Sequence, residues 1–136
     1  MTARGAAGRH RPLTFDAGAL IAFERGETWA LALVDAFRRD QEARIVVPAG
    51  AAAQAYRDPP RQARLNALLS PARVRVEPLD LHVARAAGTL CAARGTRDVV
   101  DASIVVSAHR HGGRIATTDP ADLRALDPRL PLVLPR

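Results

Sequence analysis

The sequence predicts an α/β fold, a sandwich in which helices cover a mostly parallel β-sheet. Three observations lead there. Short β-branched or apolar runs alternate with helix-spaced segments along the chain, the pattern left by parallel strands and helical crossovers. The length, 136 residues, suits one domain around one core. Two of the apolar runs, PLTFD and RIATTD, end on an acid where a helix begins. In open α/β sheets, sites form at the carboxyl ends of strands.

The elements follow in order. Leu13–Phe15 reads as a short buried strand and the Ala/Leu-rich Ala17–Glu24 as the next helix. Trp29, Leu31, Leu33, Val34 and Phe37 recur at helical spacing and predict a helix ending near Arg44. Ile45–Val47 is β-branched and closes at Pro48. Ala49–Arg57 is a small-residue helix, broken by Asp58-Pro59-Pro60. Gln62–Leu69 is a further helix, stopped by Ser70-Pro71. Val74 and Val76 alternate with Arg73, Arg75 and Glu77, as in a strand with its charged side in water. Leu81–Arg94 is helical up to Gly95, and Asp98–His111 up to Gly112-Gly113, a C-terminal signal. Ile115–Thr117 is a strand, Pro120–Leu126 a short helix, and Leu132–Leu134 a last edge strand between prolines.

Composition narrows the chemistry. The net charge is +6 and every basic residue is Arg. Two causes fit: a polyanionic partner, whose phosphates match the guanidinium fork, or a GC-rich coding sequence. The absence of Lys argues against phosphoacceptor receivers and haloacid-dehalogenase phosphatases, which rely on a site Lys. Neither G-x-x-x-x-G-K-[ST] nor G-x-G-x-x-G occurs. No apolar run approaches the about 20 residues needed to span a bilayer. The basic start, MTARGAAGRHRP, lacks an apolar h-region. The expectation is a cytoplasmic protein without a membrane partner, with residues 1–12 a disordered basic tail and 13–136 one domain. The single Cys91 reads as a buried helix residue. His109 and His111, two apart, face different sides of a helix and make a poor metal pair; His82 belongs to the surface or rim.

The acids carry the site. Singly, each has a structural role. Asp16 would cap the helix at Ala17, and Asp98 the next one, with Asp101 as its capping-box-like partner. Asp119 before Pro120 fits an N-cap, and Asp122 suits the positive helix end. Together they say more, because PLTFD and RIATTD should be central strands whose acids converge on one edge. Like charges in one cleft repel, and a cation relieves them. Mg²⁺ and Mn²⁺ prefer oxygen ligands and keep several waters, so a few carboxylates suffice.

These residues also carry a resemblance. LTFDAGALIAF, VVPAGAAAQAYRD and VVDASIVVSAHRHGGRIATTDPADLRAL resemble the signature regions of the PIN domain, closest to bacterial toxin ribonucleases of the VapC type. The resemblance runs from Leu13 to about Leu126. It implies a three-layer sandwich with about five strands flanked by helices. It further implies an Mg²⁺- or Mn²⁺-dependent endoribonuclease acting on RNA, commonly a homodimer, and inhibited by a co-expressed antitoxin. Asp16, Asp101 and Asp119 match the metal-binding aspartates, and Thr117 the hydroxyl residue beside them. Asp98 has no firm counterpart and stands as an auxiliary candidate. Arg94 and Arg97 lie nearest the expected cleft and are the RNA-binding candidates. One departure stands out: where the family has a glutamate on the small-residue helix, this chain has Gln54. An amide holds a cation less tightly, so a PIN-like binding module with weak or no catalysis is the alternative reading.

Overall fold

The computed structural model describes residues 11–70 and 74–136. Most of the expected tail, residues 1–10, lies outside the described residues, as does Arg73. Arg11, at the tail's end, is hydrogen-bonded: its guanidinium donates to Gly112 O, and its own carbonyl accepts from Arg114 Nη2 at 2.7 Å.

Five strands form one sheet: β1 (Leu13–Phe15), β2 (Ile45–Pro48), β3 (Val74–Glu77), β4 (Ile115–Ala116) and β5 (Leu132–Val133). Their order is β3-β2-β1-β4-β5, and every pairing is parallel. The flanking helices are α1 (Ala17–Glu24), α2 (Thr28–Arg39), α3 (Ala49–Ala55), α4 (Ala63–Leu69), α5 (Leu81–Arg94), α6 (Val99–Arg110) and α7 (Pro120–Leu126). The chain builds outward from β1 to β3, then returns to lay β4 on the other side of β1. That reversal opens a crevice between the carboxyl ends of β1 and β4, the usual place for a ligand in such sheets.

The sheet is covered on both faces, so its inner strands are apolar except for the buried Thr14. Leu13, Phe15, Val47, Ile115 and Ala116 are fully buried, packed with Leu20, Leu65, Ile104 and Leu123. Small residues set the helix spacing. A Cβ on Gly50 would stand 3.2 Å from Val100 Cγ1, so α3 and α6 meet almost backbone to side chain. Cys91 is buried in α5, which ends at Gly95 in the left-handed conformation, φ 67°.

Three expectations are corrected. The second helix, α2, stops at Arg39 rather than near Arg44, because Asp40 is extended and its carboxylate accepts the Glu42 N–H at 3.0 Å. The small-residue helix, α3, ends at Ala55, short of Arg57. There the Gln62 amide takes over, donating to Ala55 O and accepting from the Arg57 and Asp58 N–H groups. The third correction concerns β3. The charged residues of this edge strand were expected in water, yet Glu77 is only 3% exposed while Val76 is 43% exposed. Arg75, Arg110 and His111 surround the Glu77 carboxylate and compensate its burial.

Candidate metal centre

Asp16 directly follows β1 and is buried. It caps α1, its Oδ1 accepting the Ala19 N–H at 2.8 Å. Burial pushes its pKa up and the Asp119 charge adds to this; hydrogen bonds from Thr117 and the Ala19 and Gly18 N–H groups pull the other way. Thr117 is fully buried one residue beyond β4. Its Oγ1 accepts the Asp119 N–H at 2.9 Å. One hydroxyl thus touches the acids that follow two neighbouring strands.

Asp98 and Asp101 open α6. Asp98 Oδ1 accepts the Asp101 N–H at 3.0 Å, so Asp98 is the cap. Burial is the main cause that pushes the Asp101 pKa up to about 7, followed by the charge and hydrogen bond of Asp98 and the charges of Asp122 and Asp16. Asp119 sits at the N-cap of α7, but its carboxylate makes no capping bond. It stands beside Asp122 and raises the Asp122 pKa.

A cleft of about 260 Å³ lies among these groups, lined by Asp16, Ala17, Gly18, Gln54, Asp98, Asp101, Thr118, Asp119, Asp122 and Leu123. A second lobe of about 150 Å³ shares Asp98, Asp101 and Asp122 and continues to Thr96 and Arg94. Asp16, Asp98, Asp101, Asp119 and Gln54 are therefore brought together around one space. Thr117 stands behind it. Arg94 lies at the end of the second lobe, whereas Arg97 is exposed and lines neither space.

The donor set fits a hard divalent cation. All the titratable groups lining the main space are carboxylates, with one amide and one hydroxyl and no His or Cys; such oxygen donors suit Mg²⁺ or Mn²⁺ rather than Zn²⁺. Asp98 stands beside Asp101 and Asp119 beside Asp122, and in each pair the first acid raises the pKa of the second. A bound cation would relieve that crowding of like charge. Among the described residues no three acidic, His or Cys side chains are already gathered into a cage. The acids instead surround an open cleft, and Mg²⁺ needs only one or two direct carboxylates because it keeps its waters.

In the sequence Asp122 has only a helix-end role, and neither Thr118 nor Gly18 stands out. The signal for Asp122 was present: Asp119 and Asp122 repeat the three-residue spacing of Asp98 and Asp101, which puts both acids of each pair on one side of a helix start. Gly18 and Thr118 had no such signal, because their meeting depends on β1 and β4 being neighbours.

A parallel sheet with carboxylates around a cleft at its reversal point defines an α/β protein with an acidic cleft. The PIN domain profile matches residues 13–127, and the chain belongs to that family. Solved structures share the fold. A crystal structure of VapBC2 from Rickettsia felis bound to a promoter DNA fragment contains a chain that is 12% identical, with a TM-score of 0.65 over 92% of this chain and 99% of that one. A structure of FitAB bound to the IR36 DNA fragment contains one that is 17% identical, with a TM-score of 0.62 over 90% and 94%. No curated protein matches it by sequence. Among the described residues no helix is long and apolar enough to cross a membrane.

Proposed function

We propose that this PIN domain is a divalent-metal-dependent endoribonuclease and the toxin of a toxin–antitoxin pair. The observation that carries the reading is the convergence of Asp16, Asp101 and Asp119 on one cleft. Asp16, Asp101 and Asp119 would hold Mg²⁺ or Mn²⁺. A cation bound there would activate a water and neutralise the leaving oxygen of a phosphodiester.

The chain's own residues do the rest. Thr117 fixes the backbone of Asp119 and bonds Asp16. Asp98 holds the first turn of α6, and with it Asp101. Gln54 offers an amide oxygen to the cation or to one of its waters. Arg94, with Arg97 farther out, draws the RNA backbone toward an otherwise acidic cleft. VapBC2 and FitAB support a protein antitoxin as the partner; a homodimer in the cytoplasm completes the reading.

A second reading keeps the fold and removes the chemistry: a PIN-like module that binds RNA or protein with little catalysis. Gln54 favours it, because this neutral side chain lines the cleft where the family resemblance expects a glutamate. One assay separates the two. Purified protein is incubated with RNA in Mn²⁺ or Mg²⁺ beside Asp101→Asn and Gln54→Glu. Cleavage lost in the first variant and raised in the second supports the nuclease. Equal cleavage by wild type and Asp101→Asn refutes the site, and cleavage by Gln54→Glu alone favours the binding module.

A further inference from the structure

Glu77 closes β3 and is more deeply buried than any acid of the cleft, 3% exposed against 7% for Asp16. Both of its oxygens are engaged. Oε1 accepts from Arg110 Nη1 at 2.8 Å; Oε2 accepts from Arg75 Nε at 3.0 Å and lies 3.1 Å from His111 Nε2. Arg110 is the last residue of α6 and His111 its C-cap. The carboxylate therefore grips one end of the helix whose other end carries Asp98 and Asp101.

Stability alone is a poor reason for this arrangement. Only the carboxylate side is buried, with the Arg75 and Arg110 side chains 61% and 40% exposed, and such half-solvated pairs contribute little net stability. What such a pair supplies is a single register. A fixed register matters because four of the six buried residues of the helix, Ala102, Ser103, Ser107 and Ala108, are small, and only Ile104 and Val105 are larger. Gly50 approaches α6 from the side at Val100 and offers no knob against sliding. His109 bonds Asp127 at 2.6 Å, but that contact joins α6 to the exit of α7, not to the sheet. A slip of one residue would move the helix by about 1.5 Å along its axis, whereas a functional constellation tolerates only about 0.5 Å.

We infer that Glu77 is a positioning residue: its contact with Arg110 and His111 sets the axial register of α6 and so the placement of Asp101 opposite Asp16. The functional consequence rests on the metal-binding reading above; the register itself does not.

The test uses the full chain with Glu77→Gln, Glu77→Asp and the milder Arg110→Met. Three quantities are measured: Mn²⁺ affinity of the folded protein by calorimetry, Tm, and the position of α6 in a metal-free crystal structure. The inference expects Mn²⁺ affinity about tenfold weaker in Glu77→Gln and Arg110→Met, partial recovery in Glu77→Asp, and a shift of α6 along its axis. A purely structural role would lower Tm and leave affinity and helix position at their wild-type values; that result overturns it. Should Glu77→Gln fail to fold, Arg110→Met decides by the same criteria. Absence of Mn²⁺ binding by the wild type would sink the metal reading, and the helix position in the variants would still decide the register.

Discussion

Gly18 and Thr118 compete for one space: a Cβ on Gly18 would stand 2.1 Å from Thr118 Oγ1 and 3.3 Å from Thr118 Cβ. Gly18 is not among the positive-φ glycines, so it is needed for room and not for conformation. That room lets the turn after β1 close against the turn after β4, side by side along the cleft wall. Gly18→Ala is expected to lose about 1–3 kcal/mol by overpacking. In a Thr118→Ala background the same change should cost much less. Urea unfolding of the four proteins in the cycle measures the coupling, and additive losses would refute the contact.

Thr117 offers a sharper test of geometry. Its buried hydroxyl is the acceptor for the Asp119 N–H and a partner of Asp16. Thr117→Val keeps the shape and strands both groups, at a cost of about 1–3 kcal/mol. Thr117→Ser retains the hydroxyl and should recover most of it. If valine and serine unfold at the same temperature, the hydroxyl does not bridge the two acids.

The carboxylates of the cleft should destabilise the metal-free protein at neutral pH. The folded-state pKa of Asp101, about 7, lies above its ordinary 3.8, so the folded chain holds that proton more tightly than the unfolded chain. The resulting stability is complete below 3.8 and is lost as pH rises through about 7. Asp101→Asn removes the penalty. Without divalent ions it should therefore be more stable than wild type above neutral pH, by roughly 1–2 kcal/mol after allowance for solvent screening. Adding Mn²⁺ should raise the wild-type Tm and reverse the ranking. A less stable metal-free Asp101→Asn at high pH would contradict the repulsion.

Glu77 titrates in the opposite sense. Burial would raise its pKa, but the hydrogen bond from Arg75 and the nearby charges of His111 and Arg110 outweigh it and hold the value below 4.5. Its contribution is present above 4.5 and lost as pH falls through the folded value. Glu77→Gln should cost about 1 kcal/mol near neutrality, since the two arginines that lose their counter-charge are themselves partly solvated. Its denaturation midpoint should also change less than that of wild type as acid is added. Parallel acid profiles for the two proteins would exclude Glu77 as the group responsible.

Much of this was readable from residue order. The runs LTFD and RIATTD announced central strands because β-branched or apolar residues ended abruptly on an acid. Gly95 and Gly112-Gly113 marked helix ends through their backbone freedom. Neighbouring positions of those two strands in the sheet bring Asp16 and Asp119 to one cleft, which Asp101 also lines. Other features depend on contacts between distant segments. The end of α3 is set by the Gln62 side chain from beyond the turn. The burial of Glu77 is set by Arg110 and His111, which arrive more than thirty positions later and reverse what alternation along β3 implies. Asp122 was readable as a helix-end acid, but its place in the cleft depends on how α7 leaves β4.

The strand order has a consequence for the timing of assembly. β1 is among the first elements of the chain, yet its partner β4 is separated from it by about a hundred residues. During synthesis β1, β2 and β3 can pair while one flank of β1 still lacks its neighbour. Asp16 then faces a gap until Thr117 and Asp119 emerge. Such non-local parallel pairing is slow because the intervening loop must be closed before any contact repays it. The acidic cleft is thus a late product of folding, and a ribosome-bound fragment that ends before β4 lacks Asp119 and Asp122 and cannot line it.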